Sequence, residues 1–250
     1  MSQTILITGA TAGIGEAVAR LFAQHGYRLI LTGRRQERLD QLKKELAAEV
    51  HTLCFDVRDQ EAVHTAVDSL PAAWQEIDIL VNNAGLAVGK GPLQEGVIDD
   101  WERMIDTNVK GLLYVTRALS PRMIARRSGH IINIASIAGK EVYPGGNVYC
   151  ASKHAADALS KAMRIDMLPY GIKVTNVAPG LVETEFSIVR FKGDKEKADN
   201  VYQNMMPLTG ADVADVVYYV AHTPPHVTIN DIVVMPTAQA SSHHVHRESN

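Results

Sequence analysis

A tyrosine and a lysine four residues apart are the first sign of chemistry in this sequence. Tyr149 and Lys153 stand in the run Tyr-Cys-Ala-Ser-Lys, and residues at this spacing share one face of a helix. A free tyrosine has a pKa of about 10, but a neighbouring ammonium group favours the phenolate and lowers that pKa. The pair therefore predicts a general acid for carbonyl reduction, or a general base for oxidation of an alcohol.

Ser136 and Asn108 are two further polar candidates upstream of this pair. Ser136 follows the apolar run His-Ile-Ile-Asn-Ile-Ala, which places it at the carboxyl end of a predicted strand, where α/β sheets bind ligands. Its hydroxyl can donate a hydrogen bond to a substrate oxygen and stabilise developing charge. Taken singly, all four residues also have plain interpretations as packing, capping or turn residues, so the prediction depends on their combination.

Three glycines follow the first apolar run of the chain. Gly9, Gly13 and Gly15 lie in Thr-Gly-Ala-Thr-Ala-Gly-Ile-Gly, between a predicted strand and a predicted helix. Without side chains, the backbone can turn sharply and approach a pyrophosphate at the helix N-terminus. The alternative is a tight turn with close helix–sheet packing. The position at the first strand–helix junction favours a dinucleotide site.

The second apolar run ends in Thr-Gly-Arg-Arg, which bears on the choice of coenzyme. An NAD site normally has an acidic residue about 20 residues beyond the glycines, whereas this chain has Gly33 followed by Arg34 and Arg35. Guanidinium groups bind a 2′-phosphate by charge and by paired hydrogen bonds. The pattern therefore favours NADP(H), the alternative being a solvated basic pair. Because Ala12 in the glycine loop is not basic, phosphate recognition is expected to rest on the two arginines.

The elements that must position these residues alternate along the chain. Seven short apolar runs are predicted strands: Thr4–Thr8, Arg28–Thr32, Val50–Phe55, Ile77–Val81, His130–Ala135, Lys173–Ala178 and Ile232–Met235. Their nearly continuous hydrophobicity is typical of parallel strands that are covered on both faces. Helical patterns separate them, with Asp59 as a predicted N-cap and two long helices over 99–126 and 149–169. The sequence predicts one doubly wound α/β domain over residues 1–236, followed by an irregular tail over 237–250.

Composition and charge exclude several other classes of protein. The 250 residues are 46% hydrophobic with a net charge of −3, so the basic surface of a nucleic-acid-binding protein is not expected. No segment approaches the roughly 18–20 apolar residues of a membrane span. Two cysteines and an N-terminus unlike a signal peptide favour the cytoplasm. Because no zinc-like Cys/His spacing exists and a tyrosine can supply the acid, no metal is expected.

In order, these motifs resemble the short-chain dehydrogenase/reductase family over nearly the whole chain. The matching segments are Thr8–Gly15, Asp56-Val57, Asn82–Gly85, Asn108, Ser136, Tyr149–Lys153 and Pro179-Gly180. The resemblance implies a Rossmann-type domain with a parallel sheet of about seven strands and helices on both faces. It implies that Asn108, Ser136, Tyr149 and Lys153 are catalytic. Lys153 would also hold the nicotinamide ribose, Asn108 would support a water in a proton relay, and the protein would be a homotetramer.

The same resemblance implies a coenzyme cleft. Asp56 would meet the adenine, with a competing role as a cap for the turn after its strand, and the segment from Pro179 to Thr184 would flank the nicotinamide. The expected coenzyme contacts are Gly9, Thr11, Gly13, Ile14, Gly15, Arg34, Arg35, Asp56, Val57, Asn83, Ala84, Gly85, Tyr149, Lys153, Pro179, Gly180, Val182 and Thr184.

The segment at about 183–209 is expected to form the substrate lid. Its run Glu-Phe-Ser-Ile-Val-Arg-Phe-Lys-Gly-Asp resembles the branch of NADP-dependent 3-hydroxy acid dehydrogenases, to which sulfoacetaldehyde reductases are close. The resemblance implies that a small 3-oxo acid or semialdehyde is reduced. Arg190 and Lys192 are available cations, and Arg190 is expected to bind the acid group beside Ser136 and Tyr149.

Several alternatives stay open on the sequence alone. Arg190 could instead pair with Glu183 or Glu185 within the lid. The substrate could be a larger ketone reduced by a broad carbonyl reductase. A third possibility is a non-catalytic NADP-binding regulator, although the presence of all four candidate catalytic residues argues against that interpretation.

Overall fold

The computed structural model describes residues 2–248. Seven parallel strands form one sheet in the order β3-β2-β1-β4-β5-β6-β7. The strands are Thr4–Ile7 (β1), Arg28–Gly33 (β2), Val50–Cys54 (β3), Ile79–Asn82 (β4), His130–Ile134 (β5), Lys173–Pro179 (β6) and Asp231–Val234 (β7). The α-helices are Gly13–Gln24 (α1), Gln36–Glu45 (α2), Gln60–Asp68 (α3), Ile98–Ile105 (α4), Leu112–Arg126 (α5), Asn147–Met167 (α6), Phe186–Arg190 (α7), Lys195–Asn200 (α8) and Gly210–Ala221 (α9).

Both faces of the sheet are buried at its central strands. In β1, Ile5 and Ile7 join a core cluster that contains Phe22 of α1, whereas Leu6 between them joins a cluster with Leu119 of α5. Successive residues of a strand point to opposite faces, so a strand between two helix layers must be apolar throughout. The predicted doubly wound sheet of seven strands is confirmed.

The strand order reverses at β1, which lies between β2 and β4. The chain therefore leaves a crevice beyond the carboxyl ends of these strands, where open α/β sheets bind ligands. Asn83, which follows β4, connects the two loops that border this crevice. Its side-chain amide donates a 2.9 Å hydrogen bond to the carbonyl of Thr8, which follows β1. The loop after β1 is thus held against the loop after β4.

The predicted helix over 99–126 is not a regular α-helix. A π-helical segment, Asp106–Gly111, separates α4 from α5 and carries Asn108. An inserted π turn shifts the helical phase and is frequent at functional sites. The second long helix begins at Asn147, so Tyr149 lies in its first turn. The Asp59 N-cap is confirmed by its hydrogen bond from the Ala62 amide, 3.0 Å long.

The predicted tail folds back onto its own chain. The Gln239 side chain accepts a 2.8 Å hydrogen bond from the Leu181 amide, and Arg247 donates to the carbonyl of Val201 over 2.9 Å. Within the described residues, the tail forms no helix, and an isolated antiparallel β-bridge joins Gln239 to Val245. Its last two residues, Ser249 and Asn250, lie outside the described residues. Over positions 2–248, no helix has the length and hydrophobicity to cross a membrane.

Candidate active site

A cavity of about 950 Å³ opens at the carboxyl edge of the sheet, between the strand ends and the lid. Most residues expected from the sequence line it, as follows: Gly9, Thr11, Gly13, Ile14, Arg34, Arg35, Asp56, Val57, Asn83, Ala84, Gly85, Ser136, Tyr149, Lys153, Pro179, Gly180, Val182, Thr184 and Arg190. Two expected residues, Gly15 and Asn108, do not line it. Both lie behind the wall and support it.

The glycine loop provides room for an anionic group at the start of α1. Gly9 and Gly13 have φ values of 65° and 56°, in the left-handed region that favours glycine. A Cβ on Gly13 would lie 3.1 Å from the Thr184 methyl carbon. Ala12, at the N-cap, makes no side-chain cap, so the first amides of the helix are free to bind a pyrophosphate.

Gly15 has a packing role in the first turn of α1, and its predicted coenzyme contact stays a prediction. It is buried in the first turn of α1, and a Cβ there would approach the Gly9 carbonyl oxygen and the Asn83 amide to 2.4 Å each. The glycine therefore lets the helix pack against the loop. For Gly15, the structure therefore agrees with the alternative interpretation of the glycines, which was close helix packing.

Arginine side chains surround the end of β2. Arg34 lies 3.6 Å from a carboxylate oxygen of Asp56, and Arg35 donates to the Thr11 hydroxyl over 3.0 Å. Any side chain at position 33 would meet Thr11, whose methyl carbon is 2.8 Å from the place that a Cβ on Gly33 would take. The site therefore offers guanidinium donors where an acidic ribose ligand would otherwise stand.

Asp56 performs its competing role as a turn cap. One of its oxygens accepts a 3.0 Å hydrogen bond from the Arg58 amide, and the other pairs with the Arg58 guanidinium at 2.7 Å. Partial burial favours a higher pKa for Asp56, but the hydrogen bonds from Arg58 outweigh it and hold that pKa below its usual value. A contact with the adenine remains a proposal.

Tyr149 and Ser136 meet at the floor of the cavity. Ser136 follows β5, and its hydroxyl accepts a 3.1 Å hydrogen bond from the Ala138 amide. Burial raises the pKa of Tyr149 and the neighbouring Tyr143 raises it further, against the opposing effects of Ser136 and the charge of Arg190. The expected lowering of the Tyr149 pKa is therefore wrong for the chain alone, because desolvation dominates. The phenol remains protonated near neutral pH.

Lys153 lies one helical turn beyond Tyr149 and is also buried. Its ammonium donates to the carbonyl of Ile134 over 3.0 Å. Burial lowers the pKa of Lys153 from 10.5 to about 8, so the group is still mainly cationic at neutral pH. The buried charge lies beside Gly85, where a Cβ would come within 3.5 Å of Nζ.

Asn108 supports the site from behind. Its side chain accepts from the Leu86 amide and donates to the Leu86 carbonyl, both over 2.8 Å. It also donates to the Ser152 hydroxyl over 2.9 Å, and Ser152 in turn donates to the Tyr149 carbonyl over 2.8 Å. The side chain thus ties the loop after β4 to the helix of the tyrosine. Support of a relay water stays a proposal.

Arg190 projects from the lid toward the tyrosines. Its guanidinium carbon lies 5.2 Å from the Tyr143 ring centre and 5.7 Å from that of Tyr149. Two of its nitrogens, Nε and Nη2, are buried without a hydrogen-bond partner among the described residues. Buried donors of this kind need a partner, and the fork of an arginine matches a carboxylate or sulfonate.

Two other charged residues of the lid, Glu185 and Lys192, are already engaged. Glu185, a candidate partner of Arg190, instead accepts from Arg38 over 2.9 Å. Lys192, the second candidate cation for the substrate, pairs with the buried Asp100 at 2.7 Å. Arg190 lines the cavity and keeps donors without a partner in the described part of the chain, whereas Lys192 is paired.

Among the residues that reasoning from sequence missed are Tyr143 and Lys90, which line the cavity, and Arg38, which lies beside it. Tyr143 stacks on Arg190, and Arg38 reaches the lid from α2. Lys90 also lines the cavity, where burial and the charge of Arg190 lower its pKa. None of the three stands in a motif, although Arg38 follows Arg35 at a helical spacing that shares one face.

Comparison with known proteins agrees with this site. The family model described as short chain dehydrogenase matches residues 3–195. The chain is similar to the NADP-dependent 3-hydroxy acid dehydrogenase of Escherichia coli O6:H1, with 51% identity over 98% of this chain and 99% of the relative. It is 48% identical to sulfoacetaldehyde reductase 2 of Chromohalobacter salexigens, over 97% of each chain.

A solved structure shows the same similarity in three dimensions. The closed form of serine dehydrogenase complexed with NADP+ superposes with a TM-score of 0.93 and 50% identity, covering 98% of this chain and 100% of that one. Matches of this extent show common descent, and they include the segments that carry Ser136, Tyr149 and Lys153. The chain belongs to the short-chain dehydrogenase family.

Proposed function

We propose that this protein is an NADP(H)-dependent oxidoreductase that reduces the carbonyl group of a small 3-oxo acid or semialdehyde, including sulfoacetaldehyde. The observation that carries the proposal is Arg190, which lines the cavity beside Tyr149 and has two buried nitrogens without a partner among the described residues. A short acid whose carbonyl oxygen lies at Tyr149 has its anionic group within reach of this guanidinium. The names of the relatives, which include 3-hydroxy acid dehydrogenase and sulfoacetaldehyde reductase, support the same class of substrate.

Tyr149, Ser136 and Lys153 each have a separate role in carbonyl reduction. Bound NADPH supplies the hydride for carbonyl reduction. Tyr149, whose pKa is raised by burial, is protonated at neutral pH and donates a proton to the substrate oxygen. Ser136 donates a hydrogen bond to the same oxygen, while the cationic Lys153 holds the nicotinamide ribose and stabilises the phenolate that remains.

The coenzyme site fits NADP(H) on the chain's own features. The loop of Gly9 and Gly13 and the uncapped start of α1 suit a pyrophosphate. The arginines after β2 suit a 2′-phosphate. The NADP-bound relative supports this assignment. The segment from Pro179 to Thr184, most of which lines the cavity, would flank the nicotinamide.

Replacement of Arg190 by leucine tests the recognition of the acid. We expect kcat/KM for malonic semialdehyde to fall about 10- to 100-fold, because a charged hydrogen bond contributes about 1.5–3 kcal/mol. The uncharged isostere 3-methylbutanal should lose much less, since it never used the guanidinium. Steady-state kinetics of both aldehydes with NADPH measures the difference.

The Arg190→Lys variant serves as the matched control. It keeps the charge but loses the planar fork, so it should retain an intermediate preference for the acid. Equal losses for the charged and uncharged aldehydes in Arg190→Leu would show that the arginine only holds the lid, and would contradict its proposed role.

We further propose a homotetramer in the cytoplasm. Exposed apolar side chains on α6 and β7, among them Ile165 at 73% and Val233 at 45% exposure, support subunit contacts on that side of the domain. Both cysteines, Cys54 and Cys150, are free, as is usual in a reducing compartment. Light scattering would contradict the assembly if it gave the mass of a single 27.3 kDa chain.

A further inference from the structure

We propose that Glu185 of the lid competes with the coenzyme's 2′-phosphate for two arginines and thereby weakens the preference for NADP(H) over NAD(H). The inference rests on the proposed NADP(H) site. It assigns a role in specificity to an acidic residue on the far side of the cleft, outside the strand end from which coenzyme choice is usually read.

The Glu185 carboxylate already occupies the arginine cluster. Both of its oxygens accept from Arg38 Nη1 over 2.9 Å, and one accepts from Arg35 Nη1 over 3.3 Å. Partial burial opposes ionisation, but these hydrogen bonds prevail and lower the pKa of Glu185, so the carboxylate is charged at neutral pH. The lid is thus bonded to Arg35, one of the two arginines predicted to hold the phosphate, and to Arg38 beside it.

The charges around this site show what a phosphate would meet. Arg35 is wrapped around Thr11, with Nη2 donating to both its hydroxyl and its carbonyl oxygen, so its position is fixed. Arg38 Nη1 also approaches the Thr11 carbonyl at 3.5 Å. Arg34 and Arg58 share the carboxylate of Asp56.

Four guanidinium groups pair with two carboxylates here, those of Asp56 and Glu185, so positive charges outnumber negative charges by two. The excess of two positive charges is about the charge of a phosphate monoester near neutral pH. However, Glu185 engages two of the four cations directly. A 2′-phosphate must share these donors with a carboxylate or displace it, and like charges repel at this range. A coenzyme that lacks the 2′-phosphate leaves the Glu185 contacts intact.

Binding of coenzyme fragments tests this proposal without any turnover. Adenosine 2′,5′-bisphosphate carries the 2′-phosphate, whereas 5′-AMP lacks it. We expect the Glu185→Gln variant of the full chain to bind the bisphosphate about two- to fivefold more tightly than the native protein, given the strength of exposed ion pairs. The affinity for 5′-AMP should not change. Isothermal titration calorimetry gives both dissociation constants, and the gain should shrink in high salt.

Glu183→Gln is the matched control, because it removes the same charge from the same lid. Glu183 is exposed and forms no ion pair within the described part of the chain, so both fragments should bind this variant as they bind the native protein. An equal thermal unfolding temperature for the three proteins excludes misfolding as the cause of a difference.

Two results would overturn the inference in distinguishable ways. If the native protein binds the bisphosphate better than 5′-AMP but Glu185→Gln weakens or does not change that binding, Glu185 is a latch over the coenzyme and not a competitor. If the native protein binds both fragments equally, the proposed NADP(H) site itself fails, and this inference fails with it.

Discussion

Replacement of Tyr149 by phenylalanine is expected to reduce kcat for carbonyl reduction roughly 10²- to 10⁴-fold, the usual contribution of a general acid. Phenylalanine keeps the ring that packs near Phe186 at 5.7 Å and removes the proton donor alone. The cavity retains Ser136 and Lys153, but neither is placed here to protonate the substrate oxygen. NADPH binding should stay nearly unchanged, because the phosphate sites lie elsewhere in the cleft.

Single-turnover kinetics and an NADPH fluorescence titration separate the two effects. Tyr219→Phe is the control: this tyrosine is 62% exposed on α9, and loss of its hydroxyl should change neither quantity. Retention of full turnover by Tyr149→Phe would assign the proton transfer to another group. A protein without coenzyme-dependent turnover in its native form would be the non-catalytic regulator that the sequence left open.

Replacement of Lys153 by methionine is expected to abolish turnover and at the same time stabilise the coenzyme-free fold. Burial lowers the pKa of Lys153 from 10.5 to about 8. The charged ammonium is therefore less favourable in the folded chain than in the unfolded chain. A pKa depressed this far corresponds to roughly 3 kcal/mol of unfolding free energy. We therefore expect the free energy of unfolding of Lys153→Met at pH 7 to exceed that of the native protein by about 1–3 kcal/mol.

The pH dependence of this gain has a definite sign. Between about pH 8 and 10.5 the unfolded chain keeps the lysine proton that the folded chain releases, so native stability rises with pH. The advantage of the variant should accordingly shrink across that window. Urea unfolding at several pH values measures it. A variant that is less stable than the native protein at pH 7 would contradict the account of an unfavourable buried charge.

Lys161→Met provides the comparison on the same helix. Lys161 is 60% exposed and pairs with Asp157 at 2.7 Å. Removal of such a pair costs about 0–1 kcal/mol, so this variant should be slightly less stable and should keep its turnover. The two substitutions on α6, Lys153→Met and Lys161→Met, are thus expected to change the stability in opposite directions.

The fold was predictable because its signal is repeated along the chain. The central strands are buried on both faces and therefore read as short apolar runs, as with β1 and β5. The π-helical segment around Asn108 was not predicted, because one extra residue in a single turn is too small an irregularity to read from the apolar pattern of 99–126. It depends on the bonds that Asn108 makes with Leu86, far away in sequence.

The candidate site was predictable where a residue belongs to a motif and unpredictable where its role comes from folding. The sequence indicated that Lys153 would lower the pKa of Tyr149, but burial has the larger effect and raises it. Spacing in the sequence carries no information on desolvation. Likewise, Arg38 meets Glu185 across 147 positions, and only the folded chain brings that pair together.

Steady-state reduction of a matched set of aldehydes and ketones by NADPH tests the proposed substrate class of this enzyme. We predict that malonic semialdehyde or sulfoacetaldehyde has a kcat/KM roughly 10- to 100-fold above that of 3-methylbutanal, through the charged contact with Arg190. NADPH should also be preferred to NADH. The claim would be contradicted if neither short acid were reduced and L-serine and L-allo-threonine were not oxidised with NADP+. A far higher kcat/KM for a bulky uncharged ketone would equally contradict it.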